Sequence, residues 1–230
     1  RYRFYEILPG LSVWLTLILS LVLAFVKPLW MIYFVIVFDI YWMLKVLNFS
    51  FYLLVSWRRY SNAKKVDWKD RLFTDIPDWQ SKHHVIFLTL YNEPWEVVKT
   101  SLHSIHASMY DAKQFTIVIA GEERKQEHYE GILAQARAEL KGVNAEIVGT
   151  MHPANLEGEI PGKGSNLHYS EGQIQKYLDK KGLNYDNVIA TMFDIDTVVH
   201  PQYFSYLTYV YCRNPRPTRT SYQPIALYNN

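Results

Sequence analysis

The N-terminal part of the chain is dominated by apolar residues arranged in two runs. The first covers residues 11–26 and the second residues 29–57, with the Lys27-Pro28 pair between them. A transmembrane helix needs about 20 mostly apolar residues, a length that the first run reaches when residues 7–10 are included. No small-residue cleavage site follows, so the first run does not fit a signal peptide. The pattern therefore predicts two transmembrane helices within residues 1–60.

The positive charges that flank these runs indicate an orientation. They are Arg1 and Arg3 before the first run and Arg58, Arg59, Lys64 and Lys65 after the second, while Lys27 alone lies between the runs. Lys and Arg are enriched on the cytoplasmic side of membrane proteins. We therefore expect an integral protein of the inner or plasma membrane whose two ends, and the soluble domain after the second helix, face the cytoplasm.

Asp39 is an acidic residue within the second apolar run. At about 1.5 Å of rise per helical residue it falls near the bilayer midplane, where a carboxyl group should face other helices or water. It could line a path for a polar or lipid-linked substrate, or it could contact helices from outside this stretch. We favour the contact.

After the apolar runs, strand-like and helix-like patterns alternate. Residues 61–82 are polar and rich in turn formers, and we predict a linker there. Predicted strands cover residues 85–90, 115–120, 145–148, 188–193 and 221–228, with helical spacing of apolar residues between them. Ser165 is the predicted N-cap of the third of these helices, and Pro201 opens the last one. This order predicts an α/β fold with a mostly parallel sheet and right-handed crossovers.

Composition and charge narrow the classes of function. The chain has 230 residues and a net charge of +2, and no basic stripe is interleaved with aromatic residues, which argues against nucleic acid as a partner. The single cysteine, Cys212, rules out an internal disulfide framework. His83 and His84 stand where the first strand should begin, a position more typical of a strand entrance than of a metal ligand.

The predicted strand at residues 188–193 leads into two aspartates, Asp194 and Asp196. The strand has the continuous apolar pattern of one that is covered on both faces. In an extended backbone, residues two positions apart point to the same side, so both carboxylates could approach one cation. Such oxygen ligands suit Mg²⁺ or Mn²⁺. The alternative is a pair of solvated turn aspartates, because an Asp-x-Asp sequence is frequent by chance.

Polar residues also follow the first and second predicted strands, at the sheet edge where α/β proteins bind ligands. Tyr91-Asn92-Glu93-Pro94 offers a ring that could stack on a base and polar groups that could bind its edge or the ribose. Its alternative role is to cap the free amides of the next helix. Glu122, after the second strand, could accept a hydrogen bond from an imide N–H or remain solvated.

The loop after the third strand contains Pro161-Gly162-Lys163-Gly164-Ser165-Asn166. Its glycines allow the backbone to approach a ligand, and Lys163 could pair with a phosphate. The loop superficially suggests a phosphate-binding P-loop, but Gly164 separates Lys163 from Ser165, and the spacing from Gly158 to Gly162 is too short. We therefore reject the P-loop interpretation.

Taken in order, these motifs resemble those of membrane-anchored family 2 glycosyltransferases, the group that includes cellulose and hyaluronan synthases. The resemblance covers residues 85–228. It implies a GT-A fold, the Rossmann-like fold of nucleotide-diphospho-sugar transferases, of which residues 83–230 would be the N-terminal part. It also implies a nucleotide-diphosphate sugar donor, most often a UDP-sugar, a Mg²⁺ or Mn²⁺ cofactor, and a lipid or polysaccharide acceptor.

The resemblance implies roles for the candidates in donor binding. Tyr91 would flank the nucleobase, with Glu93 near the base or ribose. Glu122 stands in the loop where the family often has an aspartate that reads uracil. Lys163 and Asn166 match the family's lysine-glycine-x-asparagine element beside the diphosphate.

Asp194 and Asp196 match the family's metal-binding pair, with Asp194 also counted among the donor-binding residues. His200 would support the turn after the strand. The family's general base and acceptor-binding element would follow Asn230, so the catalytic base is unknown here. We expect this stretch to bind the donor with little or no sugar transfer of its own.

Two other functions remain compatible with the sequence. One is a membrane-tethered nucleotide-binding or interaction module with a degenerate site, which the unusual Gly121-Glu122-Glu123 loop favours. The other is a nucleotidyltransferase, which would use similar carboxylates at strand ends but transfer the nucleotide portion.

Overall fold

The structure is a computed structural model that describes residues 2–224. It divides the chain into two compact units, with the division between Lys65 and Val66. Among the described residues, the first unit is helical apart from Lys27 and a turn at residues 64–65, and the second contains the sheet.

The first unit consists of two long helices, α1 (Tyr2–Val26) and α2 (Pro28–Ala63). Pro28 is the first residue of α2, a position where the missing amide hydrogen costs no helical bond. The helices have mean hydropathies of 2.3 and 1.7, and none of the residues in their most apolar windows is buried. Both are long and apolar enough to cross a bilayer. The second helix continues past the predicted end at Trp57.

Within residues 66–224, the second unit is built on four parallel strands in the order β3-β2-β1-β4. Their bounds are β1 (His83–Thr89), β2 (Phe115–Glu122), β3 (Glu146–His152) and β4 (Val188–Asp194). Because all four strands are parallel, their carboxyl ends meet at one edge of the sheet. The α/β class with a parallel sheet is therefore as the sequence predicted.

Helices cover both faces of this sheet. They are α3 (Trp68–Asp75), α4 (Trp95–His106), α5 (Gln126–Glu139), α6 (Lys163–Lys181) and α7 (Tyr203–Arg213). On one face, α6 packs its Ile174 and Leu178 against Val85 and Phe87 of β1. On the other face, Ile86 and Leu88 of β1 contribute to a larger core with residues of the remaining helices. The alternation of β1 side chains between two apolar layers explains its continuous apolar sequence.

The prediction that both faces of residues 188–193 are covered is wrong. In the described chain β4 pairs with β1 alone, and its side chains alternate, with Thr191 and Phe193 buried and Met192 half exposed. The reason is the placement of α6, which packs on β1, β2 and β3. Phe193 and Ile189 instead face the apolar layer to which α7 belongs.

Three further segments differ from the sequence-based expectations. Residues 61–82 are more than a linker, because they contain α3, whose Leu72 is fully buried in the core. The N-cap of α6 is Gly162, and Ser165 lies in the first turn. Residues 221–224 form no strand, and the rest of the predicted last strand lies outside the described residues. The sequence did not predict α3 because most of its side chains are polar, so its few core-facing residues show no helical periodicity.

Two glycines allow α5 to pack closely on the sheet. A Cβ atom at Gly121 would lie 2.1 Å from Cδ2 of Tyr129, and one at Gly149 would lie 2.4 Å from the Tyr129 hydroxyl oxygen. The Tyr129 side chain therefore fills the space above these two strands. Its burial raises the pKa of its hydroxyl to about 12. Close packing of α5 is thus one reason for the glycine that precedes Glu122.

Candidate functional site

The carboxyl ends of β1, β2 and β4 and the first turn of α6 line one cleft. Its volume is about 460 Å³. The lining residues are Thr89, Leu90, Tyr91, Glu93, Glu122, Arg124, Gly162, Lys163, Asn166, Asp194, Ile195 and Asp196. Every residue that the sequence predicted for donor or metal binding is among them, although these residues come from widely separated segments. Acidic residues outnumber basic ones in the lining, which favours cations.

Asp194 and Asp196 flank a buried residue at the end of β4. Asp194 ends the strand, and its carbonyl oxygen accepts a hydrogen bond of 3.0 Å from the Thr197 amide, which closes a turn. Ile195 is buried, and its carbonyl oxygen accepts a 2.6 Å hydrogen bond from the Ser101 hydroxyl. Because Ile195 is anchored in the core, both aspartates remain exposed on the cleft side.

The metal ligands available at the end of β4 satisfy a hard divalent cation only in part. Two carboxylates provide the oxygen ligands that Mg²⁺ or Mn²⁺ prefers. Among residues 2–224, no group of three or more His, Cys, Asp or Glu side chains is arranged to hold a metal. An ion bound by Asp194 and Asp196 would need its remaining ligands from water or from a phosphate group, as is common for Mg²⁺.

The first turn of α6 presents Lys163 to Asp194. The Lys163 ammonium forms an ion pair with the Asp194 carboxylate, and both side chains are about half exposed or more. The Ser165 hydroxyl accepts a hydrogen bond of 3.0 Å from the Gly162 amide and donates one of 2.8 Å to the Gly162 carbonyl. The next amides at the start of α6 have no earlier turn to bond to, so the helix end is an electropositive wall of the cleft.

Asn166 is buried and ties the start of α6 to the sheet. Its carboxamide donates a hydrogen bond of 3.0 Å to the carbonyl oxygen of Ala120 in β2. The backbone carbonyl oxygen of Asn166 accepts a hydrogen bond of 2.8 Å from the Ser170 hydroxyl. That hydroxyl also lies 2.7 Å from the hydroxyl of Thr150. Asn166 therefore contacts the cleft mainly as a support for the helix end beside it.

The loop after β1 is held by Glu93. One carboxylate oxygen accepts hydrogen bonds from the amides of Tyr91, at 2.8 Å, and Asn92, at 3.0 Å. Glu93 therefore satisfies amides of the loop, and it does not cap α4, whose N-cap residue Pro94 has no side-chain hydrogen bond. The Tyr91 ring is half exposed, with the Lys125 ammonium 5.7 Å from its centroid.

Glu122 is buried at the end of β2 and forms an ion pair with Arg124. Arg124 also lines the cleft, and the sequence analysis did not assign it a role. The sequence does contain a signal for this pair, because Arg124 lies two residues after Glu122, and a carboxylate that becomes buried at a strand end needs a cation nearby. The adjacent Glu123 accepts a 2.7 Å hydrogen bond from the amide of Ala154, which ties the loop after β3 to this corner.

His200 supports the turn after β4, as the sequence predicted. Its Nδ1 accepts a hydrogen bond of 3.2 Å from the Gln202 amide, and its carbonyl oxygen accepts one of 2.9 Å from the Tyr203 amide. These bonds lie immediately before α7. His200 thus orders the exit of the strand and does not line the cleft.

A scan against models of known protein families finds no match, and a search of characterised proteins finds no significantly similar sequence.

Proposed function

We propose that this chain is the donor-binding part of a membrane-bound, metal-assisted glycosyltransferase of the GT-A fold. The observation that supports this proposal is the convergence of Tyr91, Lys163, Asp194 and Asp196 on one cleft at the carboxyl edge of a parallel sheet. That edge is where open α/β sheets bind nucleotides. A nucleoside diphosphate carries a flat base, a ribose and two phosphates, and the cleft offers a chemical partner for each.

The diphosphate would lie between the start of α6 and the end of β4. The Lys163 ammonium and the free amides of α6 are suited to phosphate oxygens. A divalent ion held by Asp194 and Asp196 would act as a Lewis acid for the departing diphosphate. The positive charges of this region stabilise the negative charge that develops as the bond to the sugar breaks.

The base and ribose would lie toward β1 and β2. Tyr91 offers an exposed ring for stacking. The pair of Glu122 and Arg124 offers both an acceptor and donors for hydrogen bonds at the base edge. Because Glu93 is bonded to loop amides and Glu122 to Arg124, we assign neither the role of general base. A general base from outside this set of residues would complete the transfer.

The membrane part of the proposal places the cleft at the cytoplasmic face. It is supported by the two apolar helices and by the basic residues at their outer ends. The acceptor would be a lipid or a polysaccharide.

Calorimetry on the full chain in detergent tests the proposal. UDP should bind in the presence of Mn²⁺ and lose most of its affinity without the metal or in the Asp196→Ala variant. The matched control is Asp186→Ala, which removes an exposed aspartate just before the opposite end of β4 and should leave binding unchanged. Metal-independent binding that both variants retain would contradict the assignment.

A second candidate is a binding module that does not perform transfer. It is favoured by the fact that Glu93, Glu122 and Asn166 are all bonded to groups of the protein itself. In that case any longer form of the protein would bind UDP but would transfer no sugar. Sugar transfer by such a form, abolished by Asp196→Ala, would favour the enzyme.

A further inference from the structure

Lys163 lies at an unfavourable position for a lysine if helix stability alone is considered. It is the first residue of α6, where the helix dipole is positive and a cation is disfavoured. The ion pair with Asp194 offsets this cost. Both side chains are largely exposed, at 52% and 68% of their surface, so water screens the pair and it can open readily.

The carboxylate that Lys163 contacts is also one of the two candidate metal ligands. An ammonium group and a divalent cation are both attracted to the oxygens of Asp194, and each repels the other. The second candidate ligand, Asp196, has no ion pair among those found in residues 2–224. Lys163 is therefore placed to compete with a metal ion for Asp194.

The Lys163 side chain is half exposed and lines the cleft, so it can leave Asp194 and turn toward a ligand there. A Cβ atom at Gly162 or Gly164 would meet nothing within 4 Å, so neither glycine is required by packing inside the protein. Gly162 itself lines the cleft. A diphosphate close to this backbone would lie within the reach of the same ammonium that otherwise contacts Asp194.

We propose that Lys163 is an exchangeable counter-ion: it neutralises Asp194 in the free protein and moves to the diphosphate when metal and donor bind together. This inference rests on the proposed function, since it assigns a regulatory role within the same site. The exchange makes the two ligands cooperative, because the diphosphate removes the competitor of the metal and adds oxygen ligands to it. By linkage, the metal raises the affinity for the diphosphate by the same factor.

The test compares Lys163→Met with the unaltered full chain in detergent. Mn²⁺ binding in the absence of nucleotide is followed through the electron paramagnetic resonance signal of the free ion, and UDP binding at saturating Mn²⁺ by calorimetry. Loss of the ion pair and of the repulsion should strengthen binding of Mn²⁺ alone by about fivefold. Loss of a charged donor should weaken UDP binding by about tenfold or more.

Two control variants separate this exchange from a general effect of charge. Lys163→Arg keeps the cation and should leave binding of Mn²⁺ alone close to that of the unaltered chain. Lys176→Met removes the same charge from an exposed position about 20 Å further along α6 and should change neither affinity.

The opposite changes in the two affinities are the result that a purely structural ion pair would not produce. If Lys163→Met leaves binding of Mn²⁺ alone unchanged or weaker, while the unaltered chain still binds UDP only with Mn²⁺, the exchange is wrong and the proposed function stands. If the unaltered chain shows no metal-dependent UDP binding, the proposed function fails, and the exchange fails with it.

Discussion

The carbonyl oxygen of Ala120 accepts two hydrogen bonds, one of 3.0 Å from the Asn166 carboxamide and one of 2.8 Å from the Leu90 amide. Through this one oxygen, the ends of β1 and β2 are joined to the first turn of α6. These three elements form the cleft together with the end of β4. Its geometry therefore depends on a buried contact that itself has no role in chemistry.

Replacement of Asn166 should loosen this junction. Asn166→Ala removes the buried hydrogen bond to Ala120, and we expect the free energy of unfolding to fall by about 1–2 kcal/mol. Affinity for UDP and Mn²⁺ should fall as well, because the start of α6 loses its attachment to the sheet. Urea unfolding of the full chain measures the first effect, with exposed Asn144→Ala as the control, for which a change within about 0.5 kcal/mol is expected. Equal stability of the two variants would contradict this role.

Gly121 should not tolerate a side chain, since Tyr129 occupies the space that its Cβ would need. We expect Gly121→Ala to lower the free energy of unfolding by about 1–3 kcal/mol, the usual cost of overpacking a core. The matched variant, Gly131→Ala, lies on the exposed side of α5 with nothing within 4 Å of the new Cβ. It should stabilise the helix by about 0.5–1 kcal/mol. Changes of the same sign in both variants would argue against the close packing of Tyr129.

Stability should decrease in mild acid because of His84. Burial lowers the pKa of His84 to about 3, and its Nε2 lies 2.8 Å from the Thr208 hydroxyl in the core. Burial also lowers the pKa of the neighbouring His83. A histidine that stays neutral when folded takes up a proton more readily when unfolded, so its stabilisation is complete above pH 6.5 and is lost as the pH falls below that value.

The titration of His84 alone should lower the free energy of unfolding by about 2 kcal/mol between pH 7.5 and pH 5. Unfolding by urea at a series of pH values measures it. His84→Gln removes the titrating group, so the free energy of unfolding of that variant should fall less steeply as the pH is lowered. Exposed His106→Gln is the control and should keep the original slope. A steep slope that persists in His84→Gln would assign the pH dependence to other groups.

The orientation of the membrane helices can be tested with cysteines. In a Cys212→Ser background, Lys27→Cys places a thiol between α1 and α2, and Lys64→Cys places one just after α2. By the distribution of basic residues, an impermeant maleimide should label the first variant in intact cells and the second only after lysis. The reverse pattern would put the cleft on the other side of the membrane.

The sequence was informative wherever one residue pattern decides a local structure. The apolar runs of β1 and β2 are buried on both faces, and Tyr91 and Glu93 follow the end of β1 as expected, whereas Glu122 is the last residue of β2. The carboxyl edge of a parallel sheet then brings distant loops together without any further information. This is why Tyr91, Lys163 and Asp194 could be grouped before their positions were known.

The remaining features depend on contacts between distant residues. One face of β4 is exposed because α6 packs on β1, β2 and β3. The sequence of residues 188–193 carries no information about the position of that helix. Gly162 caps α6 because the Ser165 hydroxyl bonds back to it, so the residue with the better capping propensity lies inside the helix. Arg124 lies in the cleft as the ion-pair partner of the buried Glu122. The burial of Glu122 depends on how the sheet packs and cannot be seen in the local sequence.

The most direct measurement is amide hydrogen exchange of the full chain with and without UDP and Mn²⁺. We expect UDP and Mn²⁺ to slow exchange in peptides that contain residues 91–94, 162–168 and 193–197, which surround the cleft. Peptides at the opposite end of the strands, such as residues 111–115, should exchange at the same rate in both states. Protection confined to the other end of the sheet, or no protection at saturating ligand, would contradict the claim that this cleft binds a nucleoside diphosphate.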